Sequence, residues 1–153
     1  MFENKNVLIT GGTGMIGSHL VELLSDKANI RLISHKRKIP TEFNSKKIEI
    51  LNGDLTNKEF AIKAVKGMDY VFHLAAYTGG LGRTAVYPAS TLTPNLVLDA
   101  NIIDAAKNEN VEKFLYASCS CVYPDLEKDF SEDDAWIANP PKMHASYSWS
   151  KRM

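Results

Sequence analysis

The sequence predicts an α/β fold with a doubly wound parallel sheet in the strand order 3-2-1-4-5. Three observations favour this fold class. Short apolar runs alternate with stretches of helical periodicity along the chain, which is typical of βαβ units with right-handed crossovers. The run at 6–10 is short and apolar, which suits a parallel strand buried on both faces. A glycine-rich segment joins the first run to the first helical stretch.

The predicted strands and helices follow one another in order. The strands lie at 6–10, 30–34, 47–51, 69–74 and 113–118. The helices lie at 15–24, 57–65, 94–108 and from 146 onward. Pro94 opens the longest of them, and proline is well tolerated at a first helical position. A polar loop at 125–143 precedes the last helix, inside which the sequence stops, so we expect a sheet truncated before its last strands.

Composition indicates one globular domain. The 153 residues suffice for one core, and 44% hydrophobic with 24% charged residues is usual for a soluble chain. Lysine plus arginine (18) balances aspartate plus glutamate (18), which gives no global field for nucleic acid or an anionic membrane. Neither a membrane-spanning run nor a signal peptide is recognised. We therefore expect a cytoplasmic protein without nucleic-acid or membrane partners.

The two cysteines, Cys119 and Cys121, are separated by a single residue. We interpret this spacing as too short for a comfortable disulfide, and two cysteines as too few for a structural zinc site. The sequence therefore predicts two reduced thiols and no metal.

Glycines 11, 14 and 17 form a G-x-x-G-x-x-G pattern between the first strand and the first helix. Glycine permits a tight turn and a close backbone approach to a pyrophosphate, which the N–H groups and dipole of the helix N-terminus attract. A tight βα turn without a ligand is the alternative. The predicted dinucleotide contacts are Gly11, Thr13, Gly14, Met15, Ile16 and Gly17.

This glycine spacing resembles that of the extended (epimerase/dehydratase) short-chain dehydrogenase/reductases, and it differs from the G-x-G-x-x-G of ordinary dehydrogenases. The resemblance implies a Rossmann domain that binds a nicotinamide dinucleotide. In such folds an acidic residue after the second strand selects NAD, whereas a basic residue there meets the 2′-phosphate of NADP. Residues 34–38 read Ser-His-Lys-Arg-Lys, so we expect NADP, with NAD as the alternative. His35 and Arg37 are the candidate phosphate ligands, unless these residues form a solvated basic loop.

A second segment that resembles a cofactor contact follows the third strand. Asp54 and Leu55 are similar to the Asp-Leu/Ile pair with which the family contacts adenine. Asp54 could equally cap the helix beginning near Thr56, and the two roles are compatible.

The end of the fourth strand also resembles a cofactor segment of the family. Leu74, Ala75 and Ala76 match residues whose small side chains let the backbone pass close to the dinucleotide. His73, which precedes them within a buried strand, is predicted to be structural rather than catalytic.

Tyr147 and Lys151 form a Y-x-x-x-K pair at the start of the last predicted helix. Residues four apart share one helix face, and an ammonium beside a phenol favours the phenolate. Such a tyrosine can exchange a proton with a hydroxyl while hydride moves to or from the cofactor. Taken alone, the pair is usually a surface helix face; the resemblance implies the catalytic role and assigns Lys151 to the nicotinamide ribose as well.

The third catalytic position of the family departs from its usual pattern. The family carries Ser or Thr four residues before a tyrosine, here Tyr123, and this sequence has Cys119 there. Ser118 or Ser120 could supply the missing hydroxyl, or the Cys119 thiol could act as a weak donor.

Cys121 matches the cysteine that GDP-mannose 3,5-epimerases and GDP-fucose synthases carry two residues before this tyrosine. The resemblance implies an acid/base acting at the carbon next to a transient ketone. The segments 75–82 (Ala-Ala-x-x-Gly-Gly) and 134–141 are similar to the same families. The alternative is that both cysteines are small buried packing residues.

We therefore expect residues 1–153 to be the NAD(P)-binding Rossmann domain of an extended enzyme whose C-terminal substrate lobe is absent. The expected function is a nucleotide-sugar epimerase or reductase. Alternatives are a non-catalytic NADP-binding module or regulatory partner, a nucleotide-sugar dehydratase, or a non-sugar dehydrogenase. We expect a homodimer or completion by another chain, and weak or no turnover by the chain alone.

Overall fold

The computed structural model describes residues 2–43 and 48–153. The chain divides into two compact units. The first comprises the described residues up to Ala76 together with Leu98–Ala117. The second comprises Tyr77–Val97 and Ser118–Met153.

The first unit contains a parallel five-stranded sheet in the order β3-β2-β1-β4-β5. This arrangement confirms the predicted fold class and strand order. Where the predicted third strand begins, residue 47 lies outside the described residues. Val7 of the central strand is paired with Ile30 on one side and with Tyr70 on the other. The strands are β1 Asn6–Thr10, β2 Asn29–Ser34, β3 Ile48–Asn52, β4 Tyr70–His73 and β5 Lys113–Tyr116.

Both faces of the sheet are covered at β1, as the apolar run 6–10 predicts. Val7 and Ile9 pack in one hydrophobic cluster with the helix α1, Met15–Leu24. Leu8, between them, packs in a second cluster with the helix α2, Lys58–Val65, and with residues 98–106. Val7, Leu8 and Ile9 are all fully buried. At roughly 25 cal/mol per Å² of apolar surface, this burial on two faces is the main source of stability for the sheet.

The α2 helix begins with an asparagine cap. The side chain of Asn57 accepts a hydrogen bond from the Phe60 N–H at 2.9 Å. The prediction that Asp54 caps this helix is therefore wrong. The Asp54 carboxylate instead accepts from the Thr56 N–H at 2.9 Å, because a short side chain in a turn reaches the backbone two residues onward.

The long helix α4, Pro88–Asn108, begins earlier than predicted. Pro88 occupies the first position, where the missing N–H costs nothing. Pro94 lies inside the helix, so the prediction that it opens the helix is wrong. Asn95, fully buried, donates from its side chain to the Thr91 carbonyl at 2.8 Å and to the Tyr77 carbonyl at 3.0 Å.

The second unit contains one helix that sequence reasoning missed, α3, Gly80–Val86. Its glycines, which are poor helix formers, favoured a loop. The last helix, α5, spans Ala145–Arg152, one residue earlier than predicted. Within the described ranges 2–43 and 48–153, none of the helices has the length and apolar character required to traverse a bilayer. Short 3-10 helices complete the unit at Ser120–Val122, Glu132–Trp136 and Lys142–His144.

Candidate functional site

The glycine loop between β1 and α1 is shaped by two close backbone approaches. Gly11 has φ +69°, and a Cβ there would lie 2.8 Å from the Ala75 nitrogen and the Leu74 carbonyl carbon. A Cβ on Gly17 would lie 2.3 Å from the Gly11 carbonyl oxygen. The backbone itself fills the space that a side chain would need, so both positions require glycine.

The N-terminus of α1 opens directly from this loop. Gly14 is the N-cap, and the Gly14 N–H donates to the Gly11 carbonyl at 2.9 Å. The N–H groups in the first turn of a helix have no intrahelical acceptor, and with the helix dipole they favour an anion. Met15 and Ile16 in that turn are 80% and 66% exposed. Met15 and Ile16, two of the predicted dinucleotide contacts, therefore lie at an exposed helix N-terminus that is suited to a phosphate.

The end of β4 lies alongside the loop. The Thr10 hydroxyl accepts hydrogen bonds from the N–H groups of Leu74 and Ala75, both at 3.1 Å. The structure thus places Leu74 and Ala75, two of the residues predicted to contact the cofactor, beside the glycine loop, and Ala76 follows them directly. Sequence reasoning missed the hydroxyl of Thr10 because a threonine at the end of a strand carries no distinctive pattern.

The residues predicted to meet adenosine gather at the carboxyl ends of β2 and β3. His35 Nε2 lies 3.5 Å from Asp54 Oδ2. Burial raises the pKa of Asp54, but hydrogen bonds from Thr56 and the charges of His35 and Lys36 outweigh it and hold the pKa below its ordinary value. Arg37 is exposed. Leu55, predicted to contact adenine, is a buried member of the hydrophobic core.

The predicted reaction helix lies in the second unit. Tyr147 and Lys151 stand one turn apart on α5, and Lys151 is 5% exposed. The Ser118 hydroxyl lies 3.5 Å from the Lys151 carbonyl oxygen. Arg152, which sequence reasoning missed, donates from Nε to the Val122 carbonyl at 2.7 Å. These contacts hold the helix against the segment that carries the predicted third catalytic position.

Cys119 and Cys121 are joined by a disulfide, so the prediction that their spacing forbids one is wrong. Cys119 is extended, and the 3-10 turn that follows curls the chain back. The two Cα atoms are consequently 5.3 Å apart, within the range that disulfides span. The expected reduced thiols are absent in this state, and an acid/base role for Cys121 requires reduction first.

We expect the disulfide to be detectable by alkylation of the denatured protein. Iodoacetamide should add nothing to protein denatured without a reductant, and it should add two carbamidomethyl groups after reduction, because both cysteines of the sequence are in this bond. Intact mass spectrometry measures both states. Two groups added without reductant would contradict the pairing.

Asp134 anchors the 3-10 helix Glu132–Trp136. Its carboxylate accepts from Lys128 Nζ at 2.7 Å and from the Ser131 N–H at 2.8 Å. The hydrogen bond from Lys128, followed by that from the Ser131 backbone, lowers the pKa of Asp134 to about 2 from 3.8.

The lowered pKa of Asp134 predicts an acid-dependent contribution to stability. A carboxylate with a depressed folded-state pKa stabilises the fold above its unfolded pKa, and the contribution is lost as pH falls from about 4 to about 2. Asp134→Asn should therefore lower the melting temperature at neutral pH, and the difference from wild type should shrink as pH falls through that window. The exposed neighbour supplies the control, since Asp133→Asn should change little. A pH-independent difference would contradict the account.

A doubly wound sheet with a glycine loop at the first βα turn defines a dinucleotide-binding class of α/β protein. Residues 7–153 match the model of the NAD dependent epimerase/dehydratase family, and the chain belongs to that family. Within residues 2–43 and 48–153, no group of three or more His, Cys, Asp or Glu side chains is arranged to hold a metal ion.

Three comparisons illustrate the likeness. GDP-mannose 3,5-epimerase from Arabidopsis thaliana is 30% identical over 147 residues, which is 90% of this chain and 38% of that protein. GDP-L-fucose synthase from Escherichia coli (strain K12) is 30% identical over 126 residues, covering 82% and 36%. The structure of an epimerase from Methanothermobacter thermautotrophicus superposes with a TM-score of 0.83 at 29% identity, covering 99% and 45%. The chain therefore spans less than half the length of these relatives.

Proposed function

We propose that this chain supplies the dinucleotide-binding and hydride-transfer part of an NAD(P)-dependent nucleotide-sugar epimerase or reductase. The observation that carries the proposal is the Tyr147/Lys151 pair on α5, in a chain whose glycine loop and family membership indicate a bound dinucleotide. Membership of the family supports the general chemistry.

In the proposed reaction Tyr147 holds and moves a proton. The Tyr147 phenolate takes the proton of a sugar hydroxyl while the carbon that bears this hydroxyl loses hydride. When hydride returns to the carbon, the phenol gives the proton back to the oxygen. When bound, the dinucleotide supplies the hydride acceptor. The ammonium of Lys151, almost fully buried, favours the phenolate and also binds the nicotinamide ribose.

Cys121 is the proposed second proton carrier, after reduction of its disulfide. Oxidation of the sugar to a ketone acidifies the neighbouring C–H bonds, and a thiolate can then remove one of those protons. Reduction frees the Cys119 thiol at the same time, and Ser118 offers a hydroxyl beside the Lys151 carbonyl. Either group is a candidate for the position that the family fills with Ser or Thr.

NADP is the proposed cofactor, with NAD as the alternative. The exposed basic residues 35–38 offer positive charge where an adenosine 2′-phosphate would lie. Arg37 is the stronger candidate ligand, because His35 already lies beside the Asp54 carboxylate. Asp54 is proposed to contact adenine, which NAD and NADP share.

A nucleotide sugar is the proposed substrate, and a GDP-sugar is the first candidate because the position of Cys121 resembles that of the cysteine in GDP-mannose epimerases and GDP-fucose synthases. The proposed setting is the cytoplasm, with a homodimer or a second chain completing the site. The second candidate function is a non-catalytic NADP-binding module. The disulfide favours it, because Cys121 has no thiol while the bond is intact.

Titration of the purified chain with NADPH and with NADH tests the proposal. We expect quenching of intrinsic fluorescence to saturate, with NADPH binding more tightly. Under reducing conditions, adding GDP-mannose to the chain with NADP+, or a GDP-4-keto-sugar to the chain with NADPH, should then change the nicotinamide absorbance in a single turnover. Dinucleotide binding with no hydride transfer for either sugar would favour the module, and binding of neither dinucleotide would refute both functions.

A further inference from the structure

We propose that His73, Asp99 and Tyr116 act through Thr10 as a positioning network. The network fixes the backbone of Leu74 and Ala75 beside the glycine loop, where the dinucleotide is proposed to bind. The proposal rests on the proposed function, because it concerns the same binding site. Thr10, His73, Asp99 and Tyr116 all belong to the first unit.

The network is a chain of short hydrogen bonds. Thr10 Oγ1 lies 2.8 Å from His73 Nδ1, and His73 Nε2 lies 2.8 Å from Asp99 Oδ1. The Tyr116 hydroxyl donates to Asp99 Oδ2 at 2.5 Å. Thr10 and His73 are fully buried and Asp99 is 5% exposed. The ring of Tyr116 also stacks on that of His73, with 5.9 Å between centroids.

The hydrogen-bond count assigns the protons. Thr10 Oγ1 accepts from the Ala75 N–H and from the Leu74 N–H, which it shares with the Thr10 carbonyl at 3.3 Å. Two donors occupy the two lone pairs of a hydroxyl, so its own proton must be donated to His73 Nδ1. His73 Nδ1 is consequently unprotonated, and His73 Nε2 carries the proton that it donates to the Asp99 carboxylate.

This assignment gives His73 a role that packing alone does not explain. The ring holds the Thr10 hydroxyl with its lone pairs directed at the backbone of Leu74 and Ala75. Those two residues lie against the glycine loop, since a Cβ on Gly11 would come within 2.8 Å of both. Asp99 holds the His73 ring through Nε2, and the Tyr116 hydroxyl in turn holds the Asp99 carboxylate. The position of two strand ends thus depends on one histidine tautomer.

Two disruptive substitutions, one conservative substitution and a control test the positioning role. Thr10→Val keeps the shape of the side chain but removes the hydroxyl, whereas Thr10→Ser retains it. His73→Phe keeps a ring but removes both nitrogens. Ile102→Ala is the control, because Ile102 is fully buried in the apolar core of the same unit. The readouts are the dissociation constant for NADPH and the melting temperature of each variant.

We expect Thr10→Val and His73→Phe to weaken NADPH binding by about tenfold or more, because each leaves buried polar groups without partners. Thr10→Ser should stay within about twofold of wild type. Ile102→Ala should lose stability with binding within about twofold. Binding by His73→Phe within twofold of wild type would overturn the positioning role.

Nitrogen NMR of the wild-type histidines tests the network without any variant or any turnover. The expected pattern for His73 is an unprotonated Nδ1 and a protonated Nε2. A protonated Nδ1 would overturn the hydrogen-bond chain. If the wild-type chain binds neither NADPH nor NADH, the proposed function and the positioning role both fail, whereas the expected tautomer would still establish the bonds themselves.

Discussion

Tyr147→Phe is expected to slow hydride transfer between a GDP-sugar and bound dinucleotide by about 10²- to 10⁴-fold. The substitution removes the phenolic oxygen, so the group that exchanges a proton with the sugar hydroxyl is lost, while the ring and the α5 helix remain. Dinucleotide affinity should stay within about threefold of wild type, since phosphate binding belongs to the glycine loop. Single-turnover absorbance, measured with the chain in excess over the sugar, gives the rate without requiring fast turnover.

A second tyrosine provides the matched control. Tyr87 is 57% exposed, and Tyr87→Phe removes the same oxygen from a position that has no proposed role in catalysis. Its hydride-transfer rate should equal that of wild type. Equal rates for Tyr147→Phe and wild type would remove Tyr147 from the chemistry and favour the non-catalytic binding module.

Gly17→Ala is expected to weaken dinucleotide binding by at least about fiftyfold. The new methyl carbon would lie 2.3 Å from the Gly11 carbonyl oxygen and 2.6 Å from the Gly12 Cα, both rigid backbone atoms. Either the helix must move off the strand or the loop must open, and both displace the N–H groups that meet the phosphates. Overpacking of this kind costs roughly 1–3 kcal/mol of folding free energy. Fluorescence titration and denaturant unfolding measure the two effects.

Gly82→Ala is the control for this substitution. Gly82 lies within α3, and a Cβ there would meet nothing within 4 Å. Alanine is a better helix former than glycine by about 1 kcal/mol, so stability should be unchanged or slightly higher. Retained dinucleotide affinity in Gly17→Ala would show that the close approach at residue 17 is not needed for binding.

The sheet could be predicted from sequence because its signals are local. The central strand β1 is a short apolar run, and its two faces are both buried as that run requires. The third helix could not be predicted, since Gly80 and Gly82 within it oppose helix formation. Pro94 misled for a related reason: a proline near a helix start resembles the first residue, and Pro88 already filled that position.

The candidate site likewise has features that the sequence predicts and features that it does not. The glycine loop and the Tyr147/Lys151 pair are short patterns that sequence reveals directly. The disulfide depends on the backbone turn after Cys119, which spacing does not disclose. The positioning network joins positions 10, 73, 99 and 116, which become neighbours once the strands and the long helix pack together.

Dinucleotide binding by the purified chain, compared with that of Gly17→Ala, tests the central claim most directly. The account predicts saturable binding of one NADPH per chain for wild type and a loss of at least about fiftyfold for the variant, with Gly82→Ala unchanged. Binding of neither NADPH nor NADH by a folded wild-type chain would contradict the account, and so would binding that Gly17→Ala leaves intact.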